Sequence, residues 1–182
     1  MNDAEALNLA RKGRPEGFRS IWETHGRYLY TLAYRMLRDG ALAEDAVQEA
    51  FTAAFQSIDG FRGESRLKTW LYSILYRSVL RIQERRGRFN GNGDLTDELP
   101  SSRNHHAELE TKLDVRTVLD RLPARDRAVL IMAYWDDLTC SEIADVLSTN
   151  MNHVKILLYR ARSRFASIWT GKSPEAHEEA AS

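Results

Sequence analysis

Apolar side chains recur along this chain at intervals of three and four, the spacing that gives a helix one buried face. A short first helix spans about 4–12. Gly13 ends it, and Pro15 suits the first turn of the next. On that long second helix Phe18, Ile21, Trp22, Leu29, Leu32, Ala33 and Met36 trace one inward face, and Asp39-Gly40 stops it. A third helix, about 41–57, turns Val47, Ala50, Phe51, Ala54 and Phe55 inward and breaks at Asp59-Gly60. After the loop Phe61-Arg62-Gly63-Glu64-Ser65 comes a fourth helix reaching about Arg86. Its inward set is Leu67, Trp70, Leu71, Ile74, Leu75, Val79 and Ile82. The four predict one bundle.

The pattern then lapses. Asn90-Gly91-Asn92-Gly93 and Pro100-Ser101-Ser102 mark a linker with little to bury. Helical spacing resumes near Ala107 with Leu109, Leu113, Val118, Leu119 and Leu122, then Pro123 and a helix over 126–135. Two short helices meet next at a tight turn. Thr139 and Glu142 form a capping box ahead of Ile143, Ala144 and Leu147. Asn150 caps a helix over 151–165, where Val154, Leu158, Ala161 and Phe165 make one buried stripe. Lys155, Arg160, Arg162 and Arg164 line its other side with no acid among them. That is the geometry of a helix-turn-helix reading a major groove; the competing reading is a solvated basic face on an ordinary bundle. The expected fold is all-α, two small helical domains joined by a flexible linker. Their spans are 1–88, the linker 89–106, the second domain 107–171, and a disordered acidic tail, 172–182.

Charge sharpens the picture. The 182 residues carry no formal net charge, yet the charges segregate. Residues 62–88 hold eight Lys/Arg against Glu64 and Glu84, residues 90–108 are acidic, and the tail holds Glu175, Glu178 and Glu179. Local fields matter more to a polyanion than the total. Cys140 is the only cysteine, so no intrachain disulfide is possible, and a packing role is expected of it. No apolar run reaches the roughly 18 residues of a membrane span, and no signal peptide is recognised. A cytoplasmic protein is expected. His105-His106 has no ligand partners at metal spacing. Without a phosphate-binding glycine loop or triad signature, neither an enzyme nor a cofactor is expected.

Two constellations remain. Asp45, Gln48, Glu49 and Thr52 make a polar ridge on the third helix, for which a solvated surface is the plain alternative. Arg77, Arg81 and Arg85 form a cationic stripe on the fourth, with Arg62, Arg66 and Lys68 at its other end. Like charges at this spacing repel by a few tenths of a kcal/mol each, a cost that suits a face meeting an anion. Trp70, Tyr72 and Tyr76 interleave with these bases, as in sites for single-stranded DNA. Trp70 is expected to have one ring edge inside and one near the loop.

Asp45-Ala46-Val47-Gln48-Glu49-Ala50-Phe51 resembles the D-x-x-Q-[DE]-x-F signature of bacterial sigma factor region two. Phe61-Arg62-Gly63-Glu64-Ser65 with Lys68-Thr69-Trp70-Leu71-Tyr72 is similar to that family's promoter-opening loop and helix. Leu122-Pro123-Ala124-Arg125-Asp126-Arg127, Leu138-Thr139 with Glu142-Ile143-Ala144, and Val154-Lys155 with Arg160-Ala161-Arg162 resemble region four. No third domain intervenes, so the resemblance is to the extracytoplasmic-function class. It implies that Asp45, Gln48 and Glu49 dock on the β′ clamp helices of core RNA polymerase. It implies that Phe61, Arg62, Gly63, Glu64, Ser65, Arg66, Leu67, Lys68, Trp70, Arg77 and Arg81 serve the minus-ten DNA. There the loop captures a flipped base, at an extraction cost of a few kcal/mol. Asn152, His153, Lys155, Ile156, Tyr159 and Arg160 would face the minus-thirty-five element, with Arg162 and Arg164 nearer phosphates. Further implied partners are the polymerase β flap and an anti-sigma factor, and the linker would run toward the RNA exit path.

Three departures from the family pattern stand out. Asn152-His153 replaces Gly-Thr, Ile156-Leu157 replaces Ser-Arg, and Arg77 replaces a small amide. The Ile156-Leu157 pair, expected to be exposed, would meet thymine methyls or a protein partner and give an unusual minus-thirty-five preference. Two other readings stay open at this point: a decoy that only sequesters an anti-sigma factor, and a regulator that binds duplex DNA without polymerase.

Overall fold

The computed structural model describes residues 1–63, 65–89 and 114–171, with the side chains of 87–89 left aside. The helices are α1 (Asp3–Arg11), α2 (Pro15–Leu37), α3 (Gly40–Ser57), α4 (Leu67–Phe89), α5 (Val115–Arg121), α6 (Ala124–Tyr134), α7 (Cys140–Leu147) and α8 (Met151–Thr170). A single 3-10 turn, Ile58–Gly60, follows α3. There is no strand among the described residues. The chain divides into two compact units, one carrying α1–α4 and the other α5, α6 and α8. The division passes through α7, with Ala144–Thr149 counted with the first. The expected linker beyond Phe89, which instead closes α4, lies outside the described residues, as do Leu109, Leu113, the acidic tail, Glu64 and His105-His106.

In the first unit α1 opens on a capping box that helical spacing had not revealed. The Glu5 amide donates to Asn2 Oδ1 at 2.9 Å, and the Asn2 amide donates back to Glu5 Oε2 at 3.2 Å. Ala6 and Ala10 bury against α2 at a crossing with room for no side chain. A Cβ on Gly17 would lie 2.4 Å from the Ala10 nitrogen and 2.6 Å from the Ala6 oxygen. Pro15 starts α2 as expected. Glu16, in its first turn, is held below the usual carboxylate range by its own backbone amide and then by Arg14. Asp39 caps α3 by accepting from the Leu42 amide at 3.2 Å.

The core holds Ile21, Leu29, Leu32, Ala33 and Met36 of α2, Val47, Ala50, Phe51 and Ala54 of α3, and Leu71, Leu75 and Val79 of α4. The expected inward faces hold in their centres and shift at their edges. Trp22 is 44% exposed. It lies at the rim with its ring 4.5 Å from Phe51, while Phe18 meets Phe55 edge-on at 4.5 Å. Tyr72 and Tyr76, expected beside the arginine stripe as stacking surfaces, are in the core instead. The reason is angular. Tyr72 stands three residues before Leu75 and Tyr76 three before Val79, so both join the buried stripe, and burying a ring outweighs the cost of placing one hydroxyl.

In the second unit α6 is buried almost all round, with Ala128, Val129, Leu130, Ile131 and Met132 enclosed in sequence. Val118 and Leu122 are buried as well, α5 and α6 both pack on α8, and Val154, Leu157, Leu158 and Ala161 of α8 close the core. Arg127 ties the corner between α5 and α6, donating from Nη2 to the carbonyls of Asp120 (3.2 Å) and Leu122 (3.3 Å).

Candidate nucleic-acid interface

The ridge on α3 and the stripe on α4 face one groove of about 940 Å³, lined among others by Asp45, Gln48, Glu49, Arg81, Arg85 and Arg86. Asp45, Gln48 and Thr52 are exposed; Glu49 is half-buried. Its Oε1 accepts from Arg85 Nη1 at 3.0 Å. Its buried Oε2 has no hydrogen bond, and Arg81 Nη2 stands 3.7 Å away, held by Ser78 Oγ at 3.1 Å. The sequence reading treated ridge and stripe separately; the fold joins them through one carboxylate. With about a third of the Glu49 side chain exposed, solvent screening keeps each pair at no more than about 1 kcal/mol. Arg77 is exposed and bends back along its helix, donating from Nε to the Ser73 carbonyl at 3.1 Å.

The loop between the 3-10 turn and α4 is anchored at both ends. Phe61 is buried, and its ring lies 4.9 Å from Trp70. Its carbonyl accepts from the Arg11 guanidinium of α1. At the other end Leu67 is buried, and the Arg66 carbonyl accepts from the Trp70 amide at 3.1 Å. Between the anchors Arg62, Gly63 and Arg66 are exposed and Ser65 is half-buried. Gly63 has φ +78°, a left-handed turn that disfavours a side chain. Lys68 lies over the Tyr28 ring at 4.0 Å. Trp70 is half-buried, which matches the two-sided ring the sequence implied.

In the helix-turn-helix both caps form as expected. The Glu142 amide donates to Thr139 Oγ1 at 3.2 Å, and the Thr139 amide to Glu142 Oε2 at 3.0 Å. Asn150 Oδ1 accepts from the His153 amide at 2.9 Å. The turn closes on Thr149 N to Ala144 O, 2.9 Å, with Ser148 left-handed at φ 51°. Asn152, His153, Lys155, Ile156, Tyr159 and Arg160 are all exposed, Ile156 at 51% and Tyr159 at 67%. They cover adjoining positions on one side of α8. The expected Ile156-Leu157 exposed pair does not exist. Leu157 is 7% exposed, because it stands three residues from Val154 and four from Ala161 and so joins the buried stripe. Val146 likewise takes the inward place expected of Leu147, which is half-buried. Phe165 is half-buried too, stacked on Trp169 at 5.9 Å.

The cationic side of α8 is also split. Lys155 and Arg160 lie on the exposed face, but Arg162 lies over Tyr134, and Arg164 Nη1 donates to Asp126 Oδ2 at 2.6 Å. The sequence pattern pairs none of these cations with Asp126, Tyr134, Tyr28 or a carbonyl, although Asp126 stands in the region-four motif. Hydrophobic periodicity carries no signal for such polar partners. Among the described residues no group of three or more side chains is placed to hold a metal, and no helix is long and apolar enough to cross a membrane.

Residues 21–89 match the family model for Sigma-70 region 2, and residues 112–165 that for Sigma-70, region 4. RNA polymerase sigma factor SigV of Bacillus subtilis (strain 168) is 31% identical over 137 residues, covering 75% of this chain and 81% of that protein. The chain belongs to the sigma-70 family, in its extracytoplasmic-function class. ECF RNA polymerase sigma factor SigM of Mycobacterium tuberculosis (strain ATCC 25618 / H37Rv) is 29% identical over 167 residues, covering 92% of this sigma factor and 84% of its relative. Among solved structures, CnrH in complex with the cytosolic domain of CnrY shares the fold at a TM-score of 0.65 and 19% identity, over 94% of this chain and 99% of that one. RpoE in complex with the anti-sigma factor NepR from Bartonella quintana does so at 0.63 and 22%, over 84% and 96%. This sigma factor is a transcription initiation factor that directs RNA polymerase to promoters. The region 2 match begins at Ile21 and leaves out α1, which contributes Arg11 to the loop.

Proposed function

We propose that the α3 ridge, with Asp45, Gln48 and Glu49, docks on the β′ clamp helices of core RNA polymerase, and that the second unit meets the β flap. Residues 61–68, with Trp70, Arg77 and Arg81, receive the non-template strand of the minus-ten element. Stacking on the half-buried Trp70 ring, which Phe61 backs from inside, and cations along the backbone supply the affinity. In the second unit α8 enters the major groove upstream. Lys155, Ile156, Tyr159 and Arg160 meet base edges, with Asn152 and His153 at the helix start. Each good base contact is worth about 1–3 kcal/mol of discrimination. The sigma factor works in the cytoplasm without a cofactor or chemistry of its own. An anti-sigma factor covers these surfaces until a signal releases them; one of the structural relatives, RpoE, is a sigma factor in complex with an anti-sigma factor. The domains are those read in the sequence, 1–88 and 107–171.

One observation carries this reading. An Asn-capped helix, with no acid along its 20 residues, exposes a contiguous face of Asn152, Lys155, Ile156, Tyr159 and Arg160, and a second capped helix precedes it across a tight turn in sequence. Promoter selection from a random library with holoenzyme built from purified core and the full chain tests it. Enrichment of paired upstream and minus-ten motifs, with specific run-off product, is the expected result. Core enzyme that gains no promoter-specific product, or a chain that footprints an operator alone, would overturn it in favour of a decoy or an autonomous regulator.

A further inference from the structure

Arg162 and Arg164 stand two residues apart on α8, about 200° around a helix of 3.6 residues per turn, so they leave it on opposite flanks. Both are taken up by α6, at its two ends. Arg164 Nη1 donates to Asp126 Oδ2 at 2.6 Å, in the first turn of α6. Arg162 lies over the ring of Tyr134, the last residue of α6, at 5.6 Å from guanidinium carbon to ring centroid. The two anchors are separated by roughly 12 Å of helix. Ala161, fully buried, lies between the flanks. α6 therefore runs across α8 rather than along it, and the two contacts fix the direction in which the front half of α8 projects.

Asp126 is the decisive member. Its side chain is 6% exposed, a depth at which carboxylates are found only when paired. It is too enclosed to touch DNA. Arg164, half exposed, already directs its guanidinium into the domain. Resting on the reading of α8 as the upstream recognition helix, we infer that Asp126 and Arg164 are positioning residues. Their pair sets the pitch of α8, and through it the base discrimination of Lys155, Ile156, Tyr159 and Arg160. Arg164 is a strut, not a phosphate contact.

The test uses holoenzyme made with the full chain. Binding is measured on a selected promoter and on one with its upstream element scrambled, each across a range of salt. A wild-type preference near unity would overturn the reading of α8 itself, and this inference with it. Given a wild-type preference, Arg164→Gln lowers it about tenfold, the scale of one good base contact, while the slope of log K against log salt stays unchanged. Asp126→Asn reproduces that loss, the double variant is no worse than either single one, and Arg164→Lys keeps most of the preference. A slope that falls by about one in Arg164→Gln, or an Asp126→Asn chain that folds and keeps full preference, would overturn the inference. Should Asp126→Asn fail to fold, Arg164→Gln and Arg164→Lys, altered at a half-exposed side chain, decide it through the slope.

Discussion

Single residues set the tolerances of the first unit. Gly17 is where the backbones of α1 and α2 meet, and a methyl group there has nowhere to go. Gly17→Ala is expected to cost about 1–3 kcal/mol, the usual penalty of overpacking. Thermal unfolding of the full chain reads it as a lower Tm, and an unchanged Tm would mean the helices part freely. Glu49 is the second case, serving the α3 ridge while neutralising Arg85 and Arg81. Glu49→Gln weakens association with core polymerase by about 2 kcal/mol, the scale of a hydrogen bond to a charged group. Arg85→Ala, which leaves the carboxylate in place, does not weaken it. Competition for core against a second sigma factor measures both, and equal losses would show that the pair, not the acid, is what docks. The motif reading found Glu49 but not its partners. Asp45-x-x-Gln48-Glu49 is a local pattern, whereas Arg85 is 36 residues away and meets it only once α3 and α4 are packed.

At the scale of elements, local signals proved the most readable. Capping boxes and Asx caps are written in a few adjacent residues, so the starts of α7 and α8 were placed from sequence to within one position. Asn150→Ala removes the acceptor for the His153 amide and is expected to cost about 1 kcal/mol. The loss falls on the front of α8, so promoters with a strong upstream element lose more transcription than those that rely on minus-ten contacts. A uniform loss would place the defect elsewhere. Side-chain orientation at the edge of a helical face was harder to read. Leu157, Tyr72, Tyr76 and Trp22 each stand within about one residue's rotation of a face boundary, where 100° per residue leaves direction undecided by pattern alone. The neighbouring helix decides it, and the identity of that neighbour is not a local property of sequence.

For the whole molecule, zero net charge and nucleic-acid binding coexist because the charges are sorted. Salt dependence counts the cations that meet phosphates, not the formal total. Lys155→Ala, at a lysine read as meeting a base edge, is expected to lower preference for the upstream element while the slope of log K against log salt holds; a slope that falls by about one would put the lysine on a phosphate instead, and a change in neither would remove it from the interface. The two-domain plan was legible from the lapse in apolar spacing after residue 87 and its return near 107. The tie between α1 and the loop was not, since one guanidinium on one carbonyl leaves no trace in hydrophobic patterning. That tie has a practical edge. A fragment trimmed to the segment shared with relatives, beginning at Ile21, would keep every motif residue of region two. It would also discard Gly17 and all of α1, baring Ile21's neighbours to water and leaving the Phe61 carbonyl without Arg11. Such a truncation would look complete by homology, yet the loop that leads into α4 would have lost its hinge pin.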